Sequence, residues 1–152
     1  MDFFREFIWN TDHYAYHITN TDAMKNICKE GLKPSVGKRS LKAGDNIKGI
    51  FFFDGLIFMN EWIDFLYEDK NILELELLRF NIKKLKWTIH NSNEFYITND
   101  VNQKEIEYLR LFDKDTNAFL PLNTEYYLTT TDERITWNKL NNYKPLIKSI
   151  KK

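Results

Sequence analysis

Apolar and polar positions along the chain fall into short runs whose period keeps changing. Tyr14 to Thr19 is rich in aromatic and β-branched residues, which suit a pleated, half-buried surface, and predicts a strand. Ala23, Met24, Ile27 and Cys28 then recur at helical spacing and form one apolar stripe. Asn20 or Thr21 offers the side-chain oxygen that caps such a helix. Gly31 offers the stop, because the residue past the last turn often takes a positive φ that glycine tolerates best. Leu32 is expected to pack back onto the helix. Ile50 to Phe53, after Gly49, is continuously apolar and predicts a buried strand. Leu56 to Tyr67 returns to the helical period, with Met59, Trp62, Ile63 and Leu66 on one face. Asn71 to Leu78 alternates: Leu73, Leu75 and Leu77 point one way and Glu74 and Glu76 the other, so the acidic side is expected to face solvent.

Beyond Leu78 the periods are less clean. Phe80 to His90 fits neither template. Glu94 to Thr98 reads as a strand, and Gln103 to Phe112 satisfies both strand and helix. Glu125 to Thr130 predicts a late strand, and Trp137 to Ile150 a polar tail with scattered apolar anchors. Lys33 to Lys48, with Pro34, Gly37 and Gly44, is the one long loop-like stretch. The order of elements, helices early and strands late, predicts an α+β fold. A chain of 152 residues fits a single domain over residues 1–152.

Composition narrows the function classes. Twenty-two Lys and Arg balance 22 Asp and Glu, which argues against a broad electrostatic grip on nucleic acid or anionic lipid and leaves only local basic patches. One cysteine, Cys28, rules out an intramolecular disulfide and a Cys-rich zinc site; on the helix stripe it reads as a core residue. The N-terminal residues have no basic stretch followed by a long apolar run, and Asp54, Asn60, Glu61 and Asp64 interrupt the most apolar segment. The expectation is therefore a cytoplasmic protein without a membrane span. Neither Gly-x-Gly-x-x-Gly nor Gly-x-x-x-x-Gly-Lys occurs.

Few constellations carry chemistry on their own. His13 and His17 have zinc-like spacing for a helix, but on a strand they lie about 13 Å apart, and no metal is expected. The basic run Lys83-Lys84-Leu85-Lys86-Trp87 admits phosphate or base contact, with a solvated face as its plainer reading. His17 stands out by its company, at the end of a strand and just before a capped helix.

That company resembles a known family. Tyr16-His17-Ile18-Thr19, a helix ending Gly31-Leu32-Lys33-Pro34, then Gly37, Arg39 and the strand Gly49-Ile50-Phe51-Phe52-Phe53 resemble the opening half of the ADP-ribosyltransferase fold. The likeness is to the DNA-targeting ADP-ribosyltransferase toxins and the NAD-dependent RNA 2′-phosphotransferases. It extends to Asn93-Glu94-Phe95-Tyr96-Ile97 and covers roughly residues 14–107. The fold it implies is an ADP-ribosyltransferase-like split β-sheet with helices packed at its sides. NAD is the implied substrate, with no metal. By position, Glu94 is the implied catalytic carboxylate. His17 would bond a ribose hydroxyl, the Ile18 backbone would hold the nicotinamide amide, and Thr19 would brace that turn. Phe52 or Phe51 would take the place of the Tyr that stacks on nicotinamide, and Arg39 would pair with the pyrophosphate.

The residue types suit that chemistry. Breaking the nicotinamide–ribose bond leaves an oxocarbenium-like cation, which a carboxylate beside the 2′-hydroxyl stabilises. Two departures stand out. Phe replaces the stacking Tyr, keeping the ring face and losing the hydroxyl. Ser92 stands two before Glu94, where some members carry an acidic residue or Gln that orients a protein acceptor, so arginine is disfavoured as acceptor. The resemblance implies mono-ADP-ribosylation of a macromolecular acceptor, protein or single-stranded nucleic acid, by a toxin or an agent of phage–host conflict. Its alternatives are a catalytically inactive binding or inhibitor module on the same fold and, third, an RNA 2′-phosphotransferase. Five Arg in the chain are few for the last.

Overall fold

The structure, a computed structural model, describes residues 14–36, 46–53, 55–56, 59–60, 75–90, 94–120, 122 and 132–146. The described elements are strand β1 (Tyr14–Asn20), helix α1 (Thr21–Glu30), and strands β2 (Ile50–Phe53), β3 (Leu75–Asn81), β4 (Thr88–Ile89), β5 (Glu94–Ile97), β6 (Ile106–Asp113), β7 (Ala118–Leu120) and β8 (Ile135–Lys139). Short 3₁₀ turns cover Gln103–Glu105 and Leu140–Asn142.

Local chemistry sets the first unit. The Asn20 side chain accepts from the Ala23 amide at 2.9 Å, capping α1 as its position predicts. Gly31 ends the helix at φ 77°, ψ −165°, backbone that is nearly exclusive to glycine. Its amide donates to the Ile27 carbonyl at 2.8 Å. Leu32 turns back into the core beside Met24 and Ile27 and bridges to Val101.

All strand pairings are antiparallel, in the order β4-β5-β2-β1-β3-β6. Glu107 is matched to both Arg79 and Lys139, and Leu111 to both Leu120 and Ile135. A sheet residue has two lateral neighbours, so β3 and β7 lie end to end along one edge of β6, and β8 lies along the other. Both faces are covered. Met24 and Ile27 of α1 join Ala15, Phe52, Leu78, Phe80 and Phe95 on one face. Leu56 and Met59, both helical, join Tyr16, Leu77 and Leu109 on the other. The architecture is α+β, mostly antiparallel sheet, as the element order predicts.

Five sequence expectations change or resolve. β3, described over Leu75–Asn81, runs past the expected end at Leu78. Its acidic side does not face water: Glu76 is buried, because β3 is a central strand covered on both faces. Gln103 to Phe112 resolves into a 3₁₀ turn followed by β6. The start of the expected polar tail at Trp137 belongs to β8 (Ile135–Lys139), which pairs with β6 over five residues. Phe80 to His90 divides into the end of β3, a turn and β4. The strand expected at residues 125–130 and most of the helix expected at 56–67 lie outside the described residues.

Candidate functional site

Among the described residues, β1 pairs with β3 along all seven of its positions, but with β2 only at Tyr16↔Phe53. β2 pairs with β5 along its whole length. The sheet is therefore two panels, β4-β5-β2 and β1-β3-β6, that meet at one register pair and then part. His17 is the first residue past that pair. Its Nδ1 lies 2.7 Å from the Phe51 carbonyl, so the side chain supplies a donor where a continuing ladder would have used backbone. A carbonyl only accepts, so Nδ1 carries the hydrogen. Burial pushes the imidazole below its ordinary value, opposed by the bond to Phe51, and so favours the neutral ring. In that tautomer Nε2 has no hydrogen and is an acceptor.

Across β2 lies the second group. Phe51 is opposite Tyr96 and Phe53 opposite Glu94, so these four share one face. Ile89↔Phe95 is the last register pair of β4 and β5, which makes His90 and Glu94 the next cross-strand neighbours. The His90 amide donates to the Glu94 carbonyl at 2.9 Å. His90 Nδ1 lies 3.1 Å from Glu94 Oε1, both side chains 23% exposed. The His90 ring meets Phe51 edge-on, centroids 5.0 Å apart at 75°. Tyr96 borders both rings, at 5.3 Å from Phe51 and 6.4 Å from His90. His17 and Glu94 are thus joined through Phe51 and His90. Their side chains start from opposite faces of the ladder, and only the parting of the panels brings His17 to the edge of β2.

The remaining expected residues divide. Ile18 packs with Tyr16 and Leu77, and half-buried Thr19 stands opposite Glu76, both in the part of β1 that has left β2. Phe52 is not available as a stacking platform. It is 1% exposed in the core, against Phe95 and Phe80, because alternation turns it away from the face of Phe51 and Glu94. Phe51, half-buried, is the one of the two candidates on that face. Arg39 and Ser92 lie outside the described residues, as does His13. Among the described residues no three His, Cys, Asp or Glu gather as a metal site, and no helix is long and apolar enough to cross a membrane. Lys83, Lys84 and Lys86 are exposed around the turn into β4, whereas Trp87 is half-buried with its ring edge-on to Phe95 at 5.0 Å.

Sequence reasoning missed two features. One is His90, whose only signal is its place at the end of the hairpin that carries Glu94. The other is a buried polar cluster. Glu76 accepts from Arg110 at 2.9 Å, from the Tyr143 hydroxyl at 2.7 Å and from Thr21 at 3.3 Å. Arg110 also donates to the Lys144 carbonyl and lies over the rings of Tyr108 and Tyr143. Burial, with the bond to Glu76, pushes the Tyr143 hydroxyl far above its ordinary value. The cluster borders an open cavity of about 710 Å³ between β6, β7 and the segment after β8. Of its lining, Arg110 and the Tyr143 hydroxyl are both engaged by Glu76 beneath. Chemistry is better placed at the parting of β1 and β2. No family model, curated protein or solved structure matches this chain.

Proposed function

We propose that the protein is an NAD-dependent mono-ADP-ribosyltransferase that cleaves the nicotinamide–ribose bond and passes ADP-ribose to a macromolecular acceptor. The observation that carries the reading is the His17–Phe51 bond at the point where the sheet parts. It gives an imidazole with an acceptor at Nε2, as a ribose hydroxyl requires, where β1 leaves β2. A dinucleotide lying across the gap would meet Nε2 of His17 from one panel and the face of Phe51 and Glu94 from the other. There Phe51 stacks on the leaving ring, and the Glu94 carboxylate stabilises the developing oxocarbenium. An acceptor nucleophile then takes the anomeric carbon. A cytoplasmic site of action, and a role in conflict between bacteria and phages, belong to the same proposal.

A second reading has its own observation. Phe51 lacks the hydroxyl, and its ring is already flanked by His90 and Tyr96, as befits a binding or inhibitor module on the same fold. Nicotinamide release from NAD, with and without cell lysate or single-stranded DNA, separates them. The transferase releases nicotinamide in an acceptor-dependent way, and Glu94→Gln lowers the rate about a hundredfold or more. Folded wild-type protein that binds NAD and never releases nicotinamide leaves the binding module.

A further inference from the structure

We infer that His90 is the positioning residue of this site, fixing the Glu94 carboxylate and the Phe51 ring relative to each other; its kinetic consequence rests on the reaction proposed above. Glutamate has three side-chain torsions, and a carboxylate on a strand end has many orientations open to it. A bond to His90 restricts them. An ionised carboxylate only accepts, so the 3.1 Å contact is Nδ1–H donating to Oε1. The backbone donates as well, from the His90 amide to the Glu94 carbonyl at 2.9 Å, so the pair is tied at side chain and main chain together. The same imidazole sets its edge against Phe51 at 5.0 Å and 75°. One ring therefore touches both groups assigned to the leaving nicotinamide and the developing cation.

A chance surface pair would look different. Exposed ion pairs contribute little and are loosely held. Here both side chains are about three-quarters covered, and the imidazole is packed on a second side by Tyr96 at 6.4 Å. Misplacing a reacting group by about 1 Å costs about a hundredfold in rate. Loss of His90 should thus act on the chemical step and spare ground-state binding.

The test is steady-state nicotinamide release by the full chain carrying His90→Ala or His90→Asn. The asparagine amide places an N–H near the position of Nδ1. His90→Ala is expected to lower kcat about a hundredfold and to leave KM for NAD within about twofold. His90→Asn should recover most of kcat. A His90→Ala enzyme with wild-type kcat, or His90→Asn no better than His90→Ala, overturns the role. If the alanine variant fails to fold, ¹⁵N NMR of the wild-type His90 ring decides: the Nδ1–H tautomer, changing on Glu94→Gln, supports the contact, and the Nε2–H tautomer overturns it. A wild-type protein that never releases nicotinamide but shows the Nδ1–H signature defeats the reaction and upholds the positioning geometry, so the two failures are distinguishable.

Discussion

Single residues decide most where charge is buried. Glu76 was legible as an acidic position and illegible as a buried one, because the alternation of β3 is the same whether its second face meets water or a helix. Only the tertiary covering of that face, by Thr21 at the start of α1 and Tyr143 beyond β8, tells them apart. Its partner Arg110 is 34 residues away in sequence, and no local pattern links them. Glu76→Ala removes one member of a buried pair and strands the other, so the expected loss is about 3–5 kcal/mol in urea unfolding. Tyr143→Phe removes one bond to a charged acceptor and should cost about 1.5–3 kcal/mol. His17 adds a pH dependence. Its folded pKa lies below its ordinary value, so the unfolded chain takes the proton first as pH falls. The contribution is complete above about pH 6.5 and is lost as pH falls from there through the folded value. His17→Asn keeps a donor for the Phe51 carbonyl and cannot titrate. Its melting temperature should therefore fall less between pH 7 and pH 5 than that of the wild type. The same variant lacks Nε2 and should release nicotinamide poorly at every pH.

At the scale of elements, the opening unit was fully readable because its signals are local. Strand composition, an Asn cap, a helical stripe and a Gly stop all fall within residues 14–31, and each appears in the structure. Asn20→Ala should cost about 1 kcal/mol through the lost cap. Gly31→Ala should cost more: its φ is positive, and a Cβ there would lie 2.1 Å from the Val101 carbonyl. Strain of this backbone class alone is about 1–3 kcal/mol, and the clash also opposes the Leu32–Val101 bridge. Circular dichroism melts of the two variants should rank them in that order. β8 was missed for the opposite reason. Ile135 to Lys139 carries apolar anchors among polar residues at a sheet edge, and its evidence is its pairing with β6, a long-range fact. The candidate site follows the same rule. Its residues were named from a motif, but alternation in β2, fixed by the partners on β5, selects Phe51 over Phe52.

Over the described residues the sheet parts between two panels, with α1 against one face and the helical Leu56 and Met59 against the other. That parting is what places an imidazole from one panel at the edge of the other, and neither panel holds the candidate site alone. The charge of the whole chain then constrains the acceptor. With 22 basic and 22 acidic residues, the molecule has no long-range field to gather a polyanion. The exposed lysines that cluster, Lys83, Lys84 and Lys86, sit on one turn beside β4, the strand next to the one that bears Glu94. A nucleic-acid acceptor would thus be held by a few local phosphate contacts and by recognition at the site. Each phosphate contact contributes about 0.7 to the slope of log K against log salt for a single strand. Three lysines predict a slope of magnitude about 2, whereas a non-specific binder with six or more contacts would exceed about 4. Affinity for a single-stranded oligonucleotide, measured across a salt series, reads this directly. A shallow slope that flattens further in a Lys83→Ala, Lys84→Ala, Lys86→Ala triple variant identifies the turn as the contact. A steep slope, unchanged in the triple variant, would place the strand on another part of the molecule and remove the turn from the acceptor site.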